Sequence, residues 1–176
     1  MEDLNQVIPR LSRAQGMLET YAGRSKDSRP FSAVYSDVLD AIAFLDDLGL
    51  NRGDRVGILA KNCYEWILLD LACLARAFVV VPFDPNIEMT TEELFEHYQL
   101  AVLLTNLPDR RGDDPRIHDL AAIRGGSWSG GELTPARYQA TDIVAFKFTS
   151  GTTKRPKSLL TQKHNLDDCI TNIQDR

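Results

Sequence analysis

Long apolar runs are missing from this sequence. The longest, Ala77 to Phe83, is far short of the roughly 18–20 residues a helix needs to cross a bilayer. Asp70 separates Trp66–Leu69 from Leu71–Ala75, and Arg76 keeps both from merging with the longer run. Met1 to Arg13 has no apolar centre of the kind that marks a secretory signal. Cysteine is scarce and unpatterned: Cys63, Cys73 and Cys169 are an odd number, without metal or redox spacing. The first two fall within an apolar helical pattern and read as small buried hydrophobes. A cytoplasmic, reducing setting is the expectation. A surplus of basic residues is absent too, and a formal net charge of -5 argues against a general nucleic-acid surface.

One further absence is local. From Ile143 to Leu166 there is no Asp or Glu, while Lys147, Lys154, Arg155, Lys157 and Lys163 all fall inside. A basic island in an acidic chain is either a candidate anion site or a solvated surface strip. Charge alone does not choose between them.

What is present reads as a folded α/β chain. At 176 residues and 43% hydrophobic content, one domain or one and a fraction is expected, with a packed core. Residues 1–30 show weak helical periodicity through Leu4, Ile8, Leu11 and Leu18, broken by Pro9 and Gly16. This predicts a loosely anchored helix or two, followed by a polar turn over Arg24–Pro30. Phe31–Tyr35 reads as a short strand. Ser36 and Asp37 offer an N-cap for a helix striped by Val38, Leu39, Ile42, Leu45 and Leu48, with Gly49 at its end. A turn at Asn51–Asp54 leads into a strand over Arg55–Ala60. Asn62 can cap a buried helix, Tyr64–Ala75. Phe78–Val81 is a strand ended by Pro82, Thr90 or Thr91 starts a third helix with Glu93 in its first turn, and Ala101–Leu104 is another short strand. From Asn106 to Ala140 prolines and glycines interrupt the pattern. This stretch is expected as a variable connection with one helix near Ile117–Ile123. Its Arg111-Gly112-Asp113 tripeptide, like that at Arg52, is a chance recurrence. Strands over Asp142–Phe148 and Ser158–Thr161 and a helix over Leu166–Asp175, capped by Asn165, complete the chain. Strands alternating with such helices imply βαβ units and a mainly parallel sheet with flanking helices.

The chemistry concentrates at residues 149–157. Thr149, Ser150, Thr152 and Thr153 cluster around Gly151. A turn of this composition presents backbone N–H groups and hydroxyls together, as triphosphate oxygens require, and glycine lets the backbone approach a ligand closely. Lys157 supplies a mobile positive charge behind Pro156. The spacing is not that of the common P-loop, and Ser/Thr/Gly/Pro clusters also form ordinary loops.

The string from Phe148 to Lys157, Phe-Thr-Ser-Gly-Thr-Thr-Lys-Arg-Pro-Lys, resembles the signature loop of the AMP-forming adenylating superfamily. That superfamily comprises acyl- and aryl-CoA synthetases, peptide-synthetase adenylation domains and luciferases. Three other segments agree in order: Tyr35–Val38 with the family's early strand–helix start, Leu48–Val56 with its Leu-Gly-Leu-x-x-Gly-Asp-Arg-Val turn, and Val79–Pro85 with its Val-Pro-x-x-Pro strand end. Asn62–Trp66 looks more like acyl-CoA synthetases than peptide-synthetase domains. The resemblance covers about Phe31 to Leu166.

It implies an incomplete α/β AMP-binding subdomain over 31–176, with a variable connection at 106–140: the partial N-terminal domain of an adenylate-forming enzyme. It implies ATP with Mg2+, bound by Thr149, Ser150, Gly151, Thr152, Thr153, Lys154 and Lys157, with no catalytic residue and no metal ligand inside the chain. The partners implied for the parent acid–thiol ligase are a fatty or aryl acid and the thiol of CoA or a carrier protein. Catalysis by the chain alone is not expected, because the family's later motifs lie beyond Arg176; self-association of such a fragment is a further expectation. Lys154 and Ser158 stand where the family has glycine, and Gln162 where it has histidine, with His164 two positions on. These departures leave open a stand-alone or degenerate nucleotide- or anion-binding module, or an association module, without catalysis.

Overall fold

A computed structural model describes residues 4–22, 25–148 and 158–174. The chain opens with a turn of 3-10 helix, Leu4–Gln6, and a short helix α1, Val7–Leu11, which bury Leu4 and Ile8. An antiparallel hairpin follows, β1 (Met17–Ala22) with β2 (Ser25–Pro30), where a helix and a loop were expected. Helical periodicity ends at Leu11. Leu18 packs on the main core from a strand, and ion pairing of Lys26 with Glu19 at 2.6 Å ties the two strands together. The polar composition of β2 hid it from a hydrophobicity reading, since it is almost wholly exposed.

Helix α2 spans Phe31–Asp47, so Phe31–Tyr35 is helical rather than a strand, and Ser36 and Asp37 lie inside the helix instead of capping it. Pro30 occupies the N-cap in extended conformation. Val34, Val38, Ala41, Ile42 and Leu45 are all buried. This i, i+4, i+7 stripe already begins at Val34, and tertiary burial overrides the β preference of the first turn. Gly49, at φ 68°, follows the helix as its left-handed terminator.

The central sheet is built from β3 (Arg55–Leu59), β4 (Val79–Phe83), β5 (Leu100–Thr105), β6 (Ile117–Asp119), β7 (Ile143–Phe148) and β8 (Ser158–Gln162). Their spatial order is β6-β5-β3-β4-β7-β8. All are parallel except β8, which pairs antiparallel with β7 at the edge. Helix α3 (Tyr64–Arg76) carries the chain from β3 to β4, and α4 (Thr91–Tyr98) carries it back across β3 to β5. Because the two right-handed crossovers run in opposite directions, α3 and α4 fall on opposite faces. Side chains alternate accordingly: Val56, Ile58, Val80 and Leu104 pack with α2 and α3, whereas Leu59, Val81 and Leu103 pack with α4.

Several boundaries differ from the sequence expectation for identifiable reasons. The N-cap of α3 is Cys63, not Asn62, and Asn62 lines a groove instead. Pro82 sits inside β4 rather than ending it. Beyond Val80, the residue paired with Ala145, β4 has no registered partner in β7, so a missing N–H is tolerated there. Ile117–Asp119 is an edge strand, and only Leu120–Gly125 is helical, as a 3-10 turn whose Leu120 and Ile123 are fully buried. The expected cap at Thr90 is present as a full capping box with Glu93. Helix α5 starts at Lys163, earlier than expected, and runs to Gln174.

Gly57 lies at the middle of the central strand. A Cβ there would sit 2.7 Å from Leu103 Cδ1 and 2.8 Å from Leu100 Cδ1. Gly57→Ala is expected to destabilise the fold by about 1–3 kcal/mol through overpacking, with an unchanged urea m-value in equilibrium unfolding.

Candidate functional site

The parallel strands end together on one edge, and β7 ends there at Phe148. The register of the β7–β8 hairpin places Phe148 opposite Ser158 and Ile143 opposite Gln162. Residues 149–157 therefore leave and re-enter the sheet at this carboxyl edge, where open α/β sheets bind ligands. Thr149, Ser150, Gly151, Thr152, Thr153, Lys154 and Lys157 lie outside the described residues. What the structure fixes is the two roots of that segment.

The first root is held by aromatic contacts. The Phe148 ring lies 5.6 Å from that of Phe83 and 5.5 Å, edge-on, from that of Tyr98. Tyr98 also meets Phe146 at 6.2 Å. Spacings of this kind contribute beyond simple burial. At the second root, Ser158 is exposed and stands at the first position of β8. Leu159 and Leu160, next on this edge strand, are 60% and 51% exposed.

The neighbouring strand ends are locked by two polar residues that the sequence reading passed over. Thr105, fully buried, donates through Oγ1 to the Leu59 carbonyl at 2.6 Å and accepts from the Leu107 amide at 3.0 Å. Asn106 accepts from the Lys61 amide at 3.0 Å and donates to the Lys61 carbonyl at 3.1 Å. Its side chain thus continues the β3–β5 ladder past the end of the sheet. Asn106 also donates to Cys63 Sγ at 3.7 Å, while burial pushes that thiol above its ordinary pKa. A Thr-Asn pair closing an apolar strand was the available signal. Past β4, the Asp84 carboxylate and carbonyl accept from the Asn86 and Ile87 amides, turning the chain away from the edge.

Between these ends lies an open groove of about 450 Å³, lined by Asn62, Trp66, Pro82, Phe83, Lys147 and Phe148 among others. Lys147 is exposed beside it. Gln162 and His164 lie elsewhere. Gln162 donates to the Thr141 carbonyl at 3.3 Å, and His164 Nδ1 lies 3.0 Å from the Ala140 carbonyl, both at the end of the hairpin away from residues 149–157. Lys163, buried, is paired with Asp167, which also accepts from the Leu4 amide at 2.8 Å. Among the described residues, no cluster of three or more His, Cys, Asp or Glu side chains is placed to hold a metal ion.

Residues 24–175 match the family described as AMP-binding enzyme. The chain belongs to that family. Among curated members it is 32% identical over 145 residues to a long-chain-fatty-acid–CoA ligase, FadD15, of Mycobacterium bovis, covering 69% of this chain and 24% of the relative. Across curated acyl-CoA ligases and synthetases of this kind the chain spans 23–30% of their length. Among solved structures it superposes with a TM-score of 0.77 and 20% identity on the fatty acyl-adenylate ligase from L. pneumophila, crystallised with acyl adenylate and pyrophosphate. That match covers 97% of this chain and 32% of the other. The Klebsiella oxytoca NpsA N-terminal subdomain gives a TM-score of 0.71 at 19% identity, with 95% and 43% covered. The fold of this AMP-binding chain is that of the N-terminal subdomain of adenylate-forming enzymes.

Asn106→Ala removes both side-chain bonds across the strand ends. It is expected to lower stability by about 1 kcal/mol and to speed hydrogen exchange at the Lys61 amide. Asn106→Asp, which keeps the acceptor for that amide, is expected to fall between Ala and wild type in the same exchange measurement.

Proposed function

We propose that residues 149–157 form the polyphosphate grip of an ATP-dependent acyl-adenylating ligase, and that this chain supplies the grip and the sheet beneath it. The observation that carries the reading is the β7–β8 hairpin, which roots a hydroxyl-rich, lysine-bearing segment at the carboxyl edge of a parallel sheet. Membership of the AMP-binding family and an acyl-adenylate ligase of the same fold support it.

In this reading a carboxylate oxygen of the acid attacks the α-phosphorus of ATP. The bond from that phosphorus to the bridging oxygen of the β-phosphate breaks, and pyrophosphate leaves with both electrons. Hydroxyls of Thr149, Ser150, Thr152 and Thr153, with backbone N–H groups near Gly151, donate to the β- and γ-phosphate oxygens. Lys154 and Lys157 offset charge that builds on the leaving group. Mg2+ accompanying ATP would supply further charge neutralisation at the triphosphate, and no described residue of this chain is assigned to hold it. Lys147, exposed beside the first root, adds to the positive field. The acyl-adenylate then passes its acyl group to a thiol of CoA or a carrier protein and releases AMP, in a cytoplasmic pathway handling fatty or aryl acids.

Because the chain spans a minority of its relatives' length, adenine, acyl and thiol recognition is assigned to elements beyond these residues, and the chain alone is read as non-catalytic. Isothermal titration with MgATP is expected to show weak binding, in the millimolar range. Lys157→Ala is expected to weaken it about tenfold, the size of one lost charge-assisted contact. Unchanged heats in the variant, or ATP–pyrophosphate exchange by the chain alone, would contradict the respective parts of the reading.

A further inference from the structure

We propose that a cleft at the amino-terminal edge of the sheet, remote from residues 149–157, is a second anion site that accepts a phosphate group. The cleft has a volume of about 340 Å³, at the small end of the ~300–1,000 Å³ typical of ligand pockets. It is framed by Arg52, Arg55, Tyr138, Thr141, Asp142 and Phe146. Arg52 comes from the turn after α2, Arg55 from the first position of β3, and Tyr138 to Phe146 from the entry to β7 and the strand itself. These are the opposite ends of the strands from Phe148 and Ser158.

The charges in the cleft do not cancel. Arg52 pairs with Asp142 at 2.7 Å, and that carboxylate also accepts from the Gln139 amide at 2.9 Å. Arg55 is half-buried. Its Nη1 donates to the Tyr98 carbonyl at 2.7 Å, and its guanidinium carbon lies 5.2 Å from the Phe146 ring centre. Among the described residues no carboxylate pairs with Arg55. Two guanidinium groups therefore face one carboxylate across the cleft.

A clamp from β3 to the end of α4 explains one N–H of Arg55 out of the five a guanidinium carries. It leaves the charge partly desolvated and without a counter-ion, a state that an incoming oxyanion relieves. Planar guanidinium forks match phosphate oxygens two at a time. Thr141, which carries a hydroxyl donor, is among the residues that line the cleft. Asp142 and the Arg137 carbonyl are the opposing features: both accept from Arg52 Nη2, at 2.7 and 2.9 Å, and an arriving anion must share that guanidinium with them.

The test is a titration of the 15N-labelled chain with inorganic phosphate, pyrophosphate and acetate at constant ionic strength set by chloride. The amides of Gly53 and Ala77, which line the cleft, report on it by NMR. Both phosphates are expected to shift them saturably, and acetate to bind at least fivefold more weakly. Arg52→Gln is expected to weaken phosphate binding at least fivefold, while Asp142→Asn, which removes the competing carboxylate, tightens it threefold or more. Lys157→Ala is expected to leave the Gly53 response intact, so failure of the loop reading and failure of this one are separable. The proposal is overturned by absent shifts, by responses that acetate or chloride reproduce, by indifference to both Arg52→Gln and Asp142→Asn, or by binding that disappears with Lys157→Ala. Arg55→Gln is a supporting variant only, because its contact with the Tyr98 carbonyl ties it to folding.

Discussion

Phe148 faces Ser158 across the last rung of the β7–β8 ladder, and the spatial meaning of residues 149–157 depends on that rung. Holding the two ends of a nine-residue connection together costs about 2 kcal/mol in chain entropy. The ladder and the aromatic contacts of Phe148 with Phe83 and Tyr98 supply stabilisation at that point. Without the rung, the positions where this hydroxyl- and lysine-bearing stretch leaves and rejoins the sheet would not be fixed.

The sheet turns this local constraint into a site. Opposite crossovers put α3 and α4 on opposite faces, so apolar packing covers both faces and the strand ends are left to polar chemistry. At the carboxyl edge, Thr105 and Asn106 extend the β3–β5 contact beyond the last strand residues. Beside them, Asn62 and Trp66 line a groove that runs to Lys147 and Phe148. At the amino edge, Arg52 and Arg55 gather over Tyr138 and Phe146. One sheet thus presents positive charge at both ends, while the chain as a whole is acidic.

Much of this was legible in the residues. Alternation of apolar strands with striped helices gave the fold class, and β3, β4, β5, β7, α3 and α4 fall within a residue or two of their expected bounds. The signature string pointed to the family, which the match over residues 24–175 establishes. The misses have physical causes. The β1–β2 hairpin is polar and nearly two-sided in its exposure, so no hydrophobic period announces it. Phe31–Tyr35 has strand-like composition but joins a helix because Val34 and Val38 share a buried stripe. The edge strand Ile117–Asp119 is too short to show any period. In the site, Asn106 left only the faint signal of a Thr-Asn pair closing an apolar strand, because its role is to imitate backbone across two strands distant in sequence. The antiparallel sense of β8 puts Gln162 and His164 at the end of the hairpin away from Phe148 and Ser158.

The most direct measurement of the central claim is a crystal structure of the chain with pyrophosphate. Pyrophosphate is predicted between Phe148 and Ser158, contacted by hydroxyls of Thr149 to Thr153 and by Lys157. A fully ordered complex with this segment packed closed, Lys157 turned away from the hydroxyls and no anion at the carboxyl edge, would contradict it.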